Sequence, residues 1–188
     1  MIAYRLHFEQ ANLKAIEIVK SGKLDEPRFF NSLFGLDVKE GNIRTQADLG
    51  GGTLYDLGVY CINAARNLFQ SEPEEVFAYS GARTDRRFKE IDEMTSAVLR
   101  FPGERLGTFI SSFGAADVAS CEIIGTQGKL RLDPAYEYAM ALKLFVEPVE
   151  KGGKIAAGKG SCVKMAALYS EAGRRWHDTK TIRMSRPN

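Results

Sequence analysis

Asp56 and Tyr60 are the residues whose types and spacing suggest chemistry, four apart inside Leu49-Gly50-Gly51-Gly52-Thr53-Leu54-Tyr55-Asp56-Leu57-Gly58-Val59-Tyr60-Cys61-Ile62-Asn63. On a helix, residues i and i+4 project from one face about one turn apart, so a carboxylate would stand beside a phenol. Such a carboxylate steers the phenolic proton and orients a substrate hydroxyl. Tyrosine ordinarily titrates near a pKa of about 10, so proton transfer near neutrality calls for a cation close by. A second reading stays open: Asp56 is an early-turn acid complementing the helix dipole, and Tyr60 packs in the core.

The three glycines at the head of this stretch, Gly50, Gly51 and Gly52, permit close backbone approach, and their N–H groups suit a ligand carrying oxygens or phosphate. They do not form a G-x-G-x-x-G fingerprint, because position 55 is Tyr and neither the preceding strand nor the ribose-binding acid stands where that motif needs it. The two histidines, His7 and His177, and the three cysteines, Cys61, Cys121 and Cys162, have no zinc-ligand spacing. No metal is expected. Unpaired, scattered cysteines fit reduced thiols inside a cell, and the expected location is the cytoplasm.

The elements that must position the pair follow from periodicity. Ile2 to Phe8 alternates and predicts a strand, and Leu13, Ile16 and Val19 predict a helix opened by Gln10 or Asn12 and stopped at Ser21-Gly22. Arg28 to Phe34 predicts another strand, followed by a loop to about Gly50. From Thr53 to Phe69, Leu54, Leu57, Cys61, Ala64, Ala65 and Leu68 keep the rhythm of one helix face. Strand-like segments come next at Glu75–Arg83, Met94–Phe101, Leu106–Phe113, Ala119–Ile124, Lys129–Leu132 and Ala139–Val146, separated by Pro102-Gly103, Gly125-Thr126-Gln127-Gly128 and Asp133-Pro134. Glu150–Gly160 reads as a flexible loop and Ser161 to Ala172 as a last helix. Helices early and consecutive strands later predict an α+β domain over residues 1–172, a mostly antiparallel open-faced sheet with helices on one side.

Composition narrows the function classes. With 188 residues, 44% hydrophobic and 27% charged, the chain suits one globular domain. No apolar run approaches the roughly 18 residues of a membrane span, and the N-terminus lacks the pattern of a signal peptide. The net charge of +2 conceals an asymmetry: from Lys151 onward nine Lys/Arg face two acids, against seventeen and twenty-two before it. A basic tail suits phosphates or nucleic acid, but this one lacks the interleaved aromatics of a base-stacking surface. Residues 173–188 are expected to be a solvated, disordered tail, with neither nucleic acid nor membrane as a partner.

The stretch Leu49–Asn63 resembles the signature of the Gfo/Idh/MocA oxidoreductases, specifically the glucose–fructose oxidoreductase-like branch. Ala3-Tyr4-Arg5-Leu6-His7-Phe8-Glu9, Asn12-Leu13-Lys14-Ala15, Asn42-Ile43-Arg44 and Gly125-Thr126-Gln127-Gly128-Lys129-Leu130 agree with it, in order, over about Ile2 to Phe145. The resemblance implies a two-domain enzyme whose Rossmann domain binds NAD(P) and whose α+β C-terminal domain supplies the substrate site. This chain matches the second domain only. Asp56 and Tyr60 fall on the family's site positions beside the nicotinamide, and the resemblance makes them the catalytic candidates. With that resemblance, Arg44, just before the glycine run, is a candidate contact of the cofactor or the substrate, Gly51 and Gly52 are candidates for the cofactor, and Arg5 and His7, near the interdomain seam, for the substrate. Read as residues alone, Arg44 is equally an exposed loop charge, and Arg5 and His7 are ordinary polar residues. The family's active-site lysine lies in the Rossmann domain and has no counterpart here, so the chain is not expected to be active, or to hold NAD(P) tightly, alone.

Two functions follow. The first is the substrate-binding C-terminal domain of an NAD(P)-dependent enzyme acting on CH–OH groups of a sugar or polyol, its Rossmann domain supplied elsewhere or lost. The second is a non-catalytic oligomerisation or ligand-binding module. Either is expected to self-associate through its sheet, because too few helices are present to cover both faces, and Val98, Phe109, Ile110 and Phe113 would otherwise be exposed.

Overall fold

The computed structural model describes residues 5–81, 85–137, 144–150, 154–155 and 161–163. Helix α1 (Gln10–Lys20) starts at Glu9, whose side chain accepts from the Asn12 N–H at 2.9 Å, and Ala11, Ala15 and Ile18 form its buried stripe. The side-chain oxygen at this cap satisfies an N–H that the first helical turn leaves without an intrahelical partner. Strand β1 (Pro27–Gly35) follows. Two short 3-10 turns, Ile43–Thr45 and Ala47–Leu49, lead into a π-turn at Leu54–Gly58 and helix α2 (Val59–Phe69).

The remaining strands are β2 (Glu75–Ser80), β3 (Met94–Phe101), β4 (Arg105–Ser112), β5 (Val118–Gly125), β6 (Gly128–Leu132), β7 (Leu144–Glu150), β8 (Lys154–Ile155) and β9 (Ser161–Val163). They form one sheet in the order β2-β3-β4-β1-β5-β6-β7-β8, with β9 paired to β7. Among the described residues only β1 and β4 run parallel, Phe30 opposite Gly107, and every other pairing is antiparallel. The parallel pair arises because the chain leaves β1, crosses through α2, and returns by the β2-β3-β4 meander.

Both helices cover the same face. There Phe30, Ala97, Leu99, Phe101, Phe109, Cys121, Ile123, Leu130 and Leu132 pack under Ala11, Ala15, Ile18, Cys61, Ala65 and Leu68 in one buried core. The alternate residues Phe29, Leu33, Val98, Leu106 and Ile110 look outward, each more than a third exposed. The expected α+β sheet with helices on one side is the observed architecture.

Several expectations need correction. Arg5–Phe8 is a 3-10 turn and not the end of a strand, since the turn leads directly into the Glu9 cap. Phe109 and Phe113 belong to the covered side: Phe109 alternates with exposed Ile110, and Phe113 packs with Val38, Leu57, Phe88 and Ile91 in a second cluster. Ser161–Val163 is a strand, not the start of a helix, because its backbone pairs with Leu144–Val146. Within the expected loop Glu150–Gly160, Lys154 and Ile155 pair back onto Glu150 and Val149. The expected tail 173–188, and residues 164–172 of the expected last helix, lie outside the described residues.

Candidate functional site

The glycine run does its work against its own loop. Gly51 donates its N–H to the Gln46 carbonyl at 2.9 Å, Gly52 to that of Arg44 at 3.1 Å, and Gly50 to that of Ala47 at 3.1 Å. A Cβ on Gly51 would run into the carbonyl oxygens of Arg44 and Gln46, so only glycine admits this backbone contact. The expectation of free N–H groups awaiting an anion is therefore corrected: those amides are committed within the loop.

That contact carries Arg44 to Asp56. Its Nε donates to Asp56 Oδ2 at 2.6 Å, with both side chains partly exposed. Asp56 sits in the π-turn, where the Val59 N–H reaches back to Leu54, and insertions of this type recur at functional sites. Behind it, Thr53 and Thr95 hydroxyls lie 3.2 Å apart, both buried, and pin the helix start to β3. The result is a carboxylate held beside a guanidinium at the exposed mouth of a helix.

One turn on, Tyr60 is half-buried and surrounded by rings. Phe34 of β1 meets it edge to face at 5.7 Å between centroids, Tyr136 lies 6.1 Å away, and Phe34 and Tyr136 stack at 5.1 Å. Tyr60, His7, Asn12, Asn63, Asn67 and Tyr136 border a cavity of about 40 Å³ between α1 and α2. Tyr136 also borders a wider opening of about 540 Å³, with Phe34, Asp117, Asp133 and Glu137 on its walls.

Beneath the rings is a buried polar knot. Ser32 Oγ lies 2.7 Å from the Tyr136 hydroxyl, 3.1 Å from the Ser120 carbonyl and 3.3 Å from Cys61 Sγ. A serine has one proton and the carbonyl can only accept, so Ser32 donates to Ser120 and the Tyr136 hydroxyl donates to Ser32. Burial pushes the Cys61 thiol up to about 11 and the Cys121 thiol up to about 12. It also pushes the Tyr136 phenol well above its ordinary value. All three stay neutral near pH 7, as groups removed from water should.

Of the residues expected to form a site, Arg44 and Asp56 come together as an ion pair, and Tyr60 and His7 border one cavity. Asp56 does not border that cavity. Gly51 and Gly52 hold the loop that carries Arg44. Arg5 stands in the 3-10 turn before α1. Phe34, Ser32 and Tyr136 escaped the sequence reading: Tyr136 follows the Asp133-Pro134 turn with no motif to mark it, and β1 gave no sign of which face held Phe34. Among the described residues no three His, Cys, Asp or Glu side chains converge as a metal site would require, and no helix is long and apolar enough to cross a membrane.

An open-faced α+β sheet with both helices on one side, and a π-turn carrying Asp56 before Tyr60, defines a class, and comparison with known proteins identifies it. Residues 12–131 match the model of the GFO/IDH/MocA C-terminal domain. The chain belongs to the GFO/IDH/MocA family and carries its C-terminal domain. It is 46% identical over 119 residues to an uncharacterized oxidoreductase of Rhizobium meliloti, covering 62% of this chain and 34% of that protein. It is 30% identical over 143 residues to a D-xylose 1-dehydrogenase [NADP(+)] of Haloarcula marismortui, covering 72% and 39% respectively. Among solved structures, the aldose-aldose oxidoreductase of Caulobacter crescentus, complexed with glycerol, superposes with a TM-score of 0.74 at 31% identity, over 83% of this chain and 46% of that one. The chain thus spans between about a third and a half of the length of these relatives.

Proposed function

We propose that this chain is the substrate-side domain of an NAD(P)-dependent oxidoreductase of the glucose–fructose oxidoreductase-like branch, acting on a CH–OH group of a sugar or polyol. The observation that carries the reading is the Arg44–Asp56 ion pair one helical turn from Tyr60. Relatives named for aldose and D-xylose chemistry support the substrate class. In this reading Tyr60 exchanges the hydroxyl proton of the substrate, and Asp56, held by Arg44, orients that hydroxyl. His7, which borders the cavity beside Tyr60, and Arg5 are assigned to the substrate.

The cofactor is assigned to the remainder of the complete enzyme. With the Gly50, Gly51 and Gly52 amides bonded inside their own loop, the donors here do not make a dinucleotide cradle, and no step through the cofactor is derived for this chain. Binding energy and orientation are what the protein adds to a hydride carrier. The reading is tested by following NADH and NADPH fluorescence with a panel of sugars, using the purified chain alone and mixed with a separately encoded dinucleotide domain. Turnover in the mixture, lowered about 10²- to 10⁴-fold by Tyr60→Phe, is expected. Silence in both settings favours the alternative, a non-catalytic module.

The same reading assigns the outward sheet face to a second copy of the chain. Phe29, Leu33, Val98, Leu106 and Ile110 make an apolar field that a soluble chain covers at an interface. An obligate contact of this kind buries more than about 2,000 Å² in total. Light scattering after gel filtration should give a monodisperse dimer or tetramer. A stable monomer at micromolar concentration removes the assignment.

A further inference from the structure

We infer that Tyr136 is a positioning residue for Tyr60, holding its ring in one orientation through an aromatic contact anchored in the buried core. Three independent observations converge on it. The first is backbone strain. Tyr136 has a φ of 62°, in the left-handed region that bulky side chains rarely occupy and that glycine reaches without steric cost. Such a conformation persists where the surroundings over-determine it and where the side chain itself serves a purpose. A residue needed only to turn the chain there would be glycine or asparagine.

The second is what the side chain touches. Its ring stacks on Phe34 at 5.1 Å and lies 6.1 Å from Tyr60, and Phe34 in turn meets Tyr60 edge to face at 5.7 Å. Aromatic contacts of this kind are directional, because a ring edge is attracted to a ring face, so three rings in mutual contact restrict one another's tilt. Phe34 and Tyr136 come from β1 and from the segment after β6, so a strand and a loop that leaves the sheet together hold a side chain of the helix.

The third is the anchor. The Tyr136 hydroxyl, 2.7 Å from Ser32 Oγ, joins a fully buried group that also reaches the Ser120 carbonyl at 3.1 Å and Cys61 Sγ at 3.3 Å. Cys61 is the residue after Tyr60, so one serine grips both the ring that orients Tyr60 and the helix that carries it. A buried hydroxyl without a partner is costly, so the ring is held at its far end as well as its faces. Neutral thiols and a neutral phenol keep this anchor the same throughout the pH range in which Tyr60 would work.

Positioning is a statement about the ring and stands without catalysis. Only its consequence for turnover rests on the proposed proton role of Tyr60. The full chain labelled with 3-fluorotyrosine tests it by ¹⁹F NMR, with Tyr60→Phe identifying the Tyr60 resonance and exposed Tyr79 serving as the internal control. In Tyr136→Leu the Tyr60 signal is expected to shift and change in linewidth while that of Tyr79 stays put. Tyr136→Phe, which keeps the ring and loses only the anchor, is expected to move the Tyr60 signal by a smaller amount, and Ser32→Ala to give the Tyr60 signal the same displacement. Should Tyr136→Leu not fold, the Tyr136→Phe and Ser32→Ala pair decides. A Tyr60 resonance unchanged in folded Tyr136 variants overturns the inference. In the complemented fluorescence assay Tyr136→Phe should lower kcat up to about 100-fold with little change in KM, the signature of a misplaced group. Full turnover in Tyr60→Phe would sink the proton role instead, and leave the spectra to judge positioning alone.

Discussion

The two faces of this sheet are built from the same strands and differ in what covers them. In β4, Phe109 is 2% exposed under α2 while its neighbour Ile110 is 42% exposed; in β1, Phe30 at 1% adjoins Phe29 at 47%. A half-solvated antiparallel sheet ordinarily alternates apolar and polar residues. Here the outward rows mix Leu33, Ile110 and Phe29 with Asn31, Thr108 and Glu122, so the open face is neither core nor ordinary surface. The site and the open face therefore answer to separate demands. Packing toward the helices fixes where Asp56, Tyr60 and Tyr136 stand, and the outward apolar set has no role in that.

Truncating neighbouring residues on opposite faces should separate the two sides most clearly. Phe109→Ala should cost about 3–5 kcal/mol in chemical denaturation, because it empties a site closed by the core. If it costs no more than Ile110→Ala, the two faces are not energetically distinct. Ser32→Ala comes next, at about 1–3 kcal/mol, since it removes the hydroxyl to which the buried Tyr136 hydroxyl is bonded. Calorimetry of Ser32→Ala beside Ser32→Cys separates the lost hydrogen bond from the lost volume.

On the open face, Ile110→Arg should change the stability of the dilute monomer by no more than about 0.5 kcal/mol. The same substitution should shift light scattering from oligomer to monomer, an effect on assembly without an effect on fold. At the site's exposed mouth, Asp56→Asn should cost only about 0.2–1 kcal/mol, because both partners of its ion pair keep contact with water. A larger loss would mean that the pair supports the fold and is not held for use. The smallest effect concerns pH. Bonds from the Arg87 backbone and guanidinium hold the Asp85 carboxyl below its usual range. Its lowered folded value means a contribution present above the unfolded pKa and lost as pH falls through the folded one. Asp85→Asn should therefore slightly flatten the acid limb of a melting-temperature profile.

Much of the architecture could be read along the chain. Alternation located β3 to the residue, and the apolar stripe of Cys61, Ala65 and Leu68 located α2, because both periodicities are local. Arg5–Phe8 is a 3-10 turn because the chain enters the Glu9 cap directly after it, and Ser161–Val163 is a strand because it pairs with β7; apolar periodicity records neither a cap nor a pairing partner. Phe113 escapes the alternation because β4 ends at Ser112 and the chain then turns inward onto Leu57 and Phe88.

Spacing alone puts Asp56 and Tyr60 four residues apart in one continuous helical stretch, with glycine at position 51 ahead of it and more strands than helices after it. These follow from spacing and from the sterics of single residues. Only the tertiary structure decided that the glycine amides are spent within their loop, that Arg44 is the partner of Asp56, and that Phe34 and Tyr136 frame Tyr60. Residues 34, 60 and 136 are brought together by β1, α2 and the turn after β6, and no local pattern encodes a contact between elements a hundred residues apart. Hydrogen bonds and ring contacts at that range exist only once the sheet has closed beneath the helix.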